Sequence, residues 1–106
     1  GWSSSTGDAD WGIRPLVAVE SEPPMSYNIC YYENEEVDKL LYDALSTADE
    51  TKRAEFYAQA QDILWEDCPM VCLVNDYNTW ATTNKIANVK VYPDNCLNIR
   101  NARMAK

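Results

Sequence analysis

The chain has 106 residues, of which 46% are apolar and 25% charged, a composition typical of globular proteins and unlike that of disordered ones. Its formal net charge of −8 argues against nucleic acids and anionic membrane surfaces as partners. Histidine is absent, which removes the commonest general base and the commonest metal ligand.

The opening segment, residues 1–11, combines small hydroxyl side chains, glycines, two carboxylates and two indoles, without helical or strand periodicity. Such a loop offers hydrogen bonds and flat aromatic faces to a small polar molecule. We therefore predict that this segment is a ligand loop. The side chains expected to contact the ligand are Trp2, Ser3, Ser5, Thr6 and Asp8.

Catalysis or metal binding by this loop is a weaker interpretation. Asp8 and Asp10 are two residues apart, so in a strand their carboxylates would point to opposite faces instead of acting as an acid–base pair. The other spaced oxygen ligands of a calcium loop are missing. A serine nucleophile would lack a histidine base and a Gly-x-Ser-x-Gly turn. We expect neither an enzyme nor a metal or cofactor site.

The first regular element is predicted to be a short helix over Trp11–Val19, capped by Asp10 and interrupted by a glycine and a proline. Two further prolines then break regular structure at residues 21–24. The aromatic-rich stretch Tyr27–Tyr32 is predicted to be extended.

The clearest elements are two helices. Asn34 is a good N-cap for the first, whose apolar residues recur at i, i+3, i+4, i+7 and i+8. This predicted buried stripe consists of Val37, Leu40, Leu41, Ala44 and Leu45. Thr47, with Glu50 three residues later, is predicted to start the second helix, which Pro69 ends.

The second helix has its own two faces. Its predicted buried face is Phe56, Tyr57, Ala60, Ile63 and Leu64, and its predicted water-facing side is Lys52, Arg53, Glu55, Gln59 and Asp62. The join between the two helices is short, so they are expected to pack as a helical hairpin over about residues 34–68.

Strands are predicted over about residues 70–100. Met70–Val74 is a run of five apolar residues, typical of a strand covered on both faces. Shorter strands are predicted at Trp80–Thr83, Val89–Tyr92 and Leu97–Ile99, followed by a frayed polar tail at 101–106. The helices and the apolar strand need more partner layers than these short strands supply, which indicates a piece of a larger α/β protein.

The four cysteines, Cys30, Cys68, Cys72 and Cys96, do not have the spacing of a zinc or redox motif. One or two disulfides in an oxidising compartment and four free thiols in a reducing one both remain open. A small secreted interaction module stabilised by disulfides is therefore an alternative to a ligand-binding protein.

Several motifs occur in an order that matches a known family. They lie at Gly1–Trp2, Gly7–Asp10, Tyr31–Leu41, Ala48–Pro69 and Val91–Asp94. In this order they resemble the C-terminal part of an extracytoplasmic solute-binding protein of family 5, the peptide- and nickel-type receptors of ABC importers. The opening segment, residues 1–11, is especially similar to the glutathione-binding receptors of that family.

The resemblance implies an α/β fold: residues 1–106 would be the C-terminal segment of a two-lobed periplasmic-binding-protein type II fold that closes around its ligand. It implies capture of glutathione or another small peptide, with the missing N-terminal lobe and the permease subunits of the transporter as partners. It also implies a periplasmic or extracytoplasmic location, associated with the membrane through the transporter or a lipid anchor, with the leader outside this chain.

One position departs from the dipeptide-binding members. In those proteins an aspartate of this loop pairs with the ammonium group of the ligand, and the resemblance aligns that position with Ser5, whose neutral hydroxyl cannot form the ion pair. The glutathione-binding branch has the same serine. Trp2 aligns with the cleft tryptophan of the family. Another solute, such as a sugar or a nickel chelate, is the alternative ligand.

Overall fold

The computed structural model describes residues 2–4, 6–75, 77–92 and 96–105. Its helices are α1 (Ala9–Val17), α2 (Glu35–Ser46) and α3 (Glu50–Asp67), with a short 3-10 turn at Val19–Ser21. Its strands are β1 (Ile86–Ala87), β2 (Lys90–Val91), β3 (Leu97–Asn98) and β4 (Arg103–Met104). The mixture of helices and small sheets confirms the predicted α/β class.

Helix α1 begins earlier than its sequence suggested. Asp8 has an extended backbone, and its carboxylate accepts a hydrogen bond from the Asp10 N–H at 2.8 Å, so Asp8 is the N-cap. The prediction that Asp10 caps this helix was wrong, because Asp10 lies inside the first turn. The helix also runs through Gly12 and Pro15 without the expected interruption.

The helical hairpin is present, with one corrected boundary. The Asn34 side chain caps α2 by accepting from the N–H groups of Glu36 and Val37 at 3.0 and 3.2 Å, as predicted. Helix α3 is capped by Asp49, not started by Thr47 as we expected. The Thr47 hydroxyl instead accepts from the Asp49 N–H at 3.2 Å, which orients the cap.

The end of α3 is a tight left-handed turn. Cys68 has a φ of 48° and its N–H donates to the Leu64 carbonyl at 3.0 Å. Pro69 follows directly, where it cannot continue the helix. The predicted end of the helix before Pro69 is therefore confirmed.

The hydrophobic core lies between the three helices. Its buried members are Val17, Ala18, Val37, Leu40, Leu41, Ala44, Tyr57 and Ala60. The predicted stripe of α2 is confirmed except for Leu45, which is 50% exposed. On α3, Phe56, Ile63 and Leu64 are only partly buried against this core.

A buried asparagine organises the segment between α1 and α2. Asn28 is completely buried, and its side-chain amide donates to the carbonyls of Ala18 and Tyr32 at 3.1 and 2.9 Å. Its side-chain oxygen accepts from the Tyr32 N–H at 3.1 Å. The stretch 27–32 is consequently a turn around Asn28, and our prediction of an extended piece was wrong.

The apolar run Met70–Val74 is not a strand. Val71, Leu73 and Val74 are 72%, 84% and 80% exposed, and within the described residues 71–75 and 77–83 the backbone forms no strand. A strand buried on both faces requires neighbouring strands to pair with its backbone and layers to cover it. The described part of the chain supplies neither, so the strands predicted at 70–74 and 80–83 were both wrong here.

The remaining strands form a narrow antiparallel ribbon. β1 pairs with β4 in the register Ile86↔Met104, and β2 pairs with β3 in the register Lys90↔Asn98. The register slips by two residues between these pairs, and Asn88 at the break has a φ of 63°. The predicted strands at 89–92 and 97–99 are confirmed in shorter form. The tail predicted to fray contributes β4.

The chain is elongated. Its radius of gyration is 18.0 Å, whereas a compact domain of this length would have about 13 Å. Among the described residues, none after Ala60 is buried. Within that same part of the chain, no helix combines the length and apolarity that crossing a bilayer would require.

Candidate functional site

The opening loop is closed by its own hydroxyl groups. The Ser4 hydroxyl donates to the Asp8 carbonyl at 2.9 Å, and the Asp8 N–H donates to the Thr6 hydroxyl at 3.2 Å. Gly7 has a φ of 72°, a left-handed conformation that a side chain would strain. These bonds give the segment before α1 a defined turn.

Trp2 lies against the start of α1 and the turn that follows it. Its indole N–H donates to the Gly12 carbonyl at 3.1 Å, and its ring meets the Tyr27 ring edge-on with 5.0 Å between centroids. The residue is still 39% exposed. The indole is therefore fixed by the protein and retains aromatic surface for a ligand.

Asp8 is the most highly bonded residue of the loop. Its Oδ1 accepts from the Asp10 N–H and from Nη2 of Arg53 at 2.8 and 2.6 Å. Its Oδ2 accepts from Nη1 of Arg53 at 2.8 Å. The hydrogen bonds from Arg53 hold the pKa of the Asp8 carboxyl below its usual value. The negative charge of Asp8 is thus neutralised by Arg53.

Arg53 was placed on the water-facing side of α3 by the sequence analysis, and this was wrong. Its guanidinium lies 5.5 Å from the centroid of the Tyr57 ring and donates to the Tyr57 hydroxyl at 3.3 Å. Its Nε donates to the Ala44 carbonyl at 3.2 Å. The i, i+4 spacing to Tyr57, a predicted buried residue, is the signal that would have placed Arg53 at the edge of the core.

A second arginine, Arg14, pairs with the other carboxylate of the opening segment, that of Asp10. Arg14 donates from Nε and Nη2 to the two oxygens of Asp10, both at 2.8 Å, and from Nη1 to Glu20 at 2.6 Å. These partners raise the pKa of the Arg14 guanidinium, Asp10 contributing most. Asp8 and Asp10 are therefore paired to different arginines, an arrangement that does not resemble a shared catalytic carboxylate site.

The candidate contact residues occupy different environments. Trp2, Ser3 and Thr6 are exposed, and Ser3 makes no side-chain hydrogen bond to the described part of the chain. Asp8 is partly exposed, at 39% of its side chain. Ser5 lies outside the described residues. The structure therefore joins Thr6 and Asp8 in one hydrogen-bonded turn, whereas Trp2 is bonded separately to Gly12.

A separate apolar groove of about 410 Å³ runs between α1, α3 and the residues that follow α3. Its wall includes Ile13, Leu16, Leu64, Trp65 and Met70. Of the candidate contacts that the structure describes, none lines the groove, and its apolar lining does not suit a small zwitterionic molecule. The groove and the ligand loop are distinct features.

All four cysteines lie at the surface. Cys30, Cys68 and Cys72 are exposed free thiols, and Cys96 is exposed as well. Within the ranges that the structure describes, no three cysteine or carboxylate side chains cluster closely enough to hold a metal ion.

The chain is similar to proteins of known name. It is 37% identical over all 106 residues to the glutathione-binding protein GsiB of Pectobacterium atrosepticum and covers 21% of that protein. It is 38% identical over 94 residues to the proteins of the same name from Escherichia coli and Shigella flexneri, covering 18% of each. No protein-family model matches the chain.

The chain thus spans about one fifth of the length of the curated relatives that it matches. The alignment extends through the opening loop, the helical hairpin and the ribbon, since the match to the first relative covers 100% of the chain. The chain is therefore similar, along its whole length, to a segment of a protein named for glutathione binding, in agreement with the family resemblance of its motifs.

Proposed function

We propose that this chain is the C-terminal segment of a solute-binding protein that captures glutathione or another small peptide for import by an ABC transporter. The observation that carries this proposal is the 37% identity over all 106 residues to a protein named for glutathione binding. In this proposal residues 1–11 are the part of the segment that contacts the ligand.

The chemistry of the loop supports a peptide-like ligand. Such a molecule presents ammonium, carboxylate and amide groups, and hydroxyl side chains both donate and accept hydrogen bonds. In the proposal Ser3, Ser5 and Thr6 make these bonds, and the exposed indole of Trp2 covers an apolar part of the ligand. Asp8 contributes through its exposed edge.

The charge of the loop favours hydrogen bonding over ion pairing. Because Arg53 neutralises Asp8, the loop does not offer an unpaired anion to the ammonium group of a peptide. Ser5, at the position of the aspartate of dipeptide-binding members, adds no charge either. A ligand with several amide and carboxylate groups fits such a surface better than one held by a single ion pair.

The proposed action is non-covalent. Closure of two lobes over the ligand would remove water from the loop and strengthen each hydrogen bond. The ligand would shift the balance between open and closed forms, and the closed form would dock on the permease subunits. In this proposal the partners are the N-terminal lobe and the permease subunits of the transporter, and the protein acts on the outer side of the cytoplasmic membrane. No cofactor and no catalytic residue takes part.

The proposal is tested by titration calorimetry on the full-length protein that contains this segment. Glutathione or a dipeptide is expected to bind, and Trp2→Ala to weaken that binding about tenfold, the loss of one aromatic contact. Trp80→Ala is the matched control, since Trp80 has a similar exposure of 43% and lies outside the loop. Tight binding of maltose or Ni²⁺, with neither peptide bound, would overturn the ligand assignment.

A further inference from the structure

We propose that Arg53 is the positioning residue of the ligand loop: from α3 it holds Asp8, and through Asp8 it sets the arrangement in which the loop meets its ligand. This inference rests on the proposed function of the loop. It is carried by a contact between two segments that are 45 residues apart in sequence. Nothing in the similarity to known proteins assigns this role.

The contact has the geometry of a strong, directional pair. Nη1 and Nη2 of Arg53 donate to separate oxygens of Asp8 at 2.8 and 2.6 Å. Two parallel hydrogen bonds fix the orientation of the carboxylate as well as its distance, which a single bond would leave free to rotate. Asp8 therefore has one preferred orientation relative to α3.

Arg53 is itself held by the helical hairpin. Its Nε is bonded to the carbonyl of Ala44 on α2, and Nη2 is shared between Asp8 and the hydroxyl of Tyr57. Ala44 and Tyr57 are both buried members of the core. The guanidinium thus connects the opening loop to the buried core of the helical hairpin, which fixes the position of the loop relative to the two helices.

Asp8 passes this constraint to the rest of the loop. Its N–H is bonded to the Thr6 hydroxyl, its carbonyl to the Ser4 hydroxyl, and its Oδ1 to the first turn of α1. A displacement of Asp8 would move Thr6, a candidate ligand contact, together with the turn. Asp8 is therefore the link through which Arg53 acts on the binding surface.

The first experiment measures the loop without a ligand. In the full-length protein, Arg53→Gln is expected to speed amide hydrogen exchange at residues 2–8, because the loop loses its connection to α3. Arg14→Gln is the matched control: it breaks the other arginine–carboxylate pair, with Asp10, and should leave exchange at residues 2–4 unchanged. Unaltered loop exchange in Arg53→Gln would overturn the positioning role, whether or not glutathione binds.

The second experiment measures affinity under conditions where every variant is folded. Arg53→Gln is expected to weaken glutathione binding about tenfold, while Arg53→Lys, which keeps the charge but not the paired geometry, should lose less. Arg14→Gln should bind within about twofold of the wild type, even if it melts earlier. If the pair between Arg53 and Asp8 only stabilised the fold, the melting temperature would fall in both Arg53→Gln and Arg14→Gln, and the affinity for glutathione would change in neither.

The two failures are distinguishable. A wild-type protein that binds neither glutathione nor a dipeptide contradicts the proposed function, and the exchange experiment still decides whether Arg53 holds the loop. If the wild-type protein binds glutathione, and both Arg53→Lys and Arg53→Gln are folded and bind it with wild-type affinity, only the positioning role is contradicted. If Arg53→Gln does not fold, wild-type affinity in Arg53→Lys has the same meaning.

Discussion

The helical region, residues 9–67, and the C-terminal region, residues 71–105, use apolar side chains in opposite ways. In the helical region eight hydrophobic residues are buried, with Val37, Ala44 and Ala60 completely inaccessible. In the described part of the C-terminal region no residue is buried, although Leu73 and Val74 are as apolar as the core of α2.

The difference shows which structure is local and which depends on partners. A helix satisfies its own backbone hydrogen bonds, so α2 and α3 bury their apolar faces by packing with each other and with α1, all within this chain. A strand must pair with a neighbour, and the run Met70–Val74 has none within the described residues. Since the relatives are about five times as long as this chain, such partners have room to exist outside it.

The strongest test of this comparison is a pair of leucine substitutions, Leu41→Ala and Leu73→Ala. Leu41 is 1% exposed in the helical core, so its truncation leaves a cavity and should lower the free energy of unfolding by about 3 kcal/mol. Leu73 is 84% exposed, and its truncation should change the free energy by less than about 0.5 kcal/mol. Urea unfolding of the chain followed by circular dichroism measures both.

An effect of Leu73→Ala as large as that of Leu41→Ala would contradict this difference between the two regions. Equal destabilisation by Leu73→Ala would mean that the apolar run is buried in solution, by a second copy or by the ribbon. A concentration-dependent midpoint would then separate these two cases, because only association depends on protein concentration.

The parts of the fold that could be predicted from sequence are those with a local cause. The Asn34 cap follows from its side-chain chemistry and is confirmed. The stripe of α2 follows from the helical period and is confirmed except for Leu45. The caps Asp8 and Asp49 were each missed by two residues, because a nearby polar residue, Asp10 or Thr47, offered the same local chemistry. Choosing between such neighbours requires the entry angle of the chain, which is set by tertiary packing.

The features that sequence did not predict depend on distant contacts. The turn at 27–32 forms because Asn28 bonds to the carbonyl of Ala18, ten residues earlier. The candidate site shows the same limit: its residue types could be recognised, but the pairing of Asp8 with Arg53 joins segments 45 residues apart. Neither hydrophobic periodicity nor a sequence motif indicates such a contact. The i, i+4 spacing between Arg53 and Tyr57 is the sequence feature that indicates where Arg53 lies.

A second test compares a polar residue from each region, through Asn28→Ala and Asn98→Ala. Asn28 is completely buried, and its loss removes the hydrogen bonds to the N–H and carbonyl of Tyr32 and one bond to the Ala18 carbonyl. The Ala18 carbonyl keeps its bond from the Ser21 N–H, so the unpaired groups are those of Tyr32, which should cost about 2 kcal/mol of unfolding free energy. Within the described residues the Asn98 side chain bonds to the exposed Tyr92 and Arg100, and its loss should cost less than about 0.5 kcal/mol. Thermal and urea unfolding measure the two; a large effect of Asn98→Ala would show that the ribbon contributes to the cooperative unit.

A third test, with a smaller expected effect than Leu41→Ala or Asn28→Ala, concerns the hydrogen bond from the Tyr32 hydroxyl to Asp67 at the end of the helical region. Asp67 also accepts from the Asn34 side chain at 3.0 Å, so this carboxylate joins the start of α2 to the end of α3. Burial first, and then the Asp67 carboxylate, raise the pKa of Tyr32 from 10.0 to about 12. Removing one partly exposed hydrogen bond in Tyr32→Phe should lower stability at pH 7 by less than about 1 kcal/mol.

The pH dependence of this contact has a definite sign. Because folding raises the pKa of Tyr32, its contribution to stability is complete below pH 10.0 and is lost as the pH rises through about 12. In a titration of tyrosinate absorbance, the folded chain should show a late step near pH 12 that Tyr32→Phe removes and that Asp67→Asn moves to lower pH. A late step that survives Tyr32→Phe would contradict the assignment, and the contact between the start of α2 and the end of α3 would then not be the cause of that step.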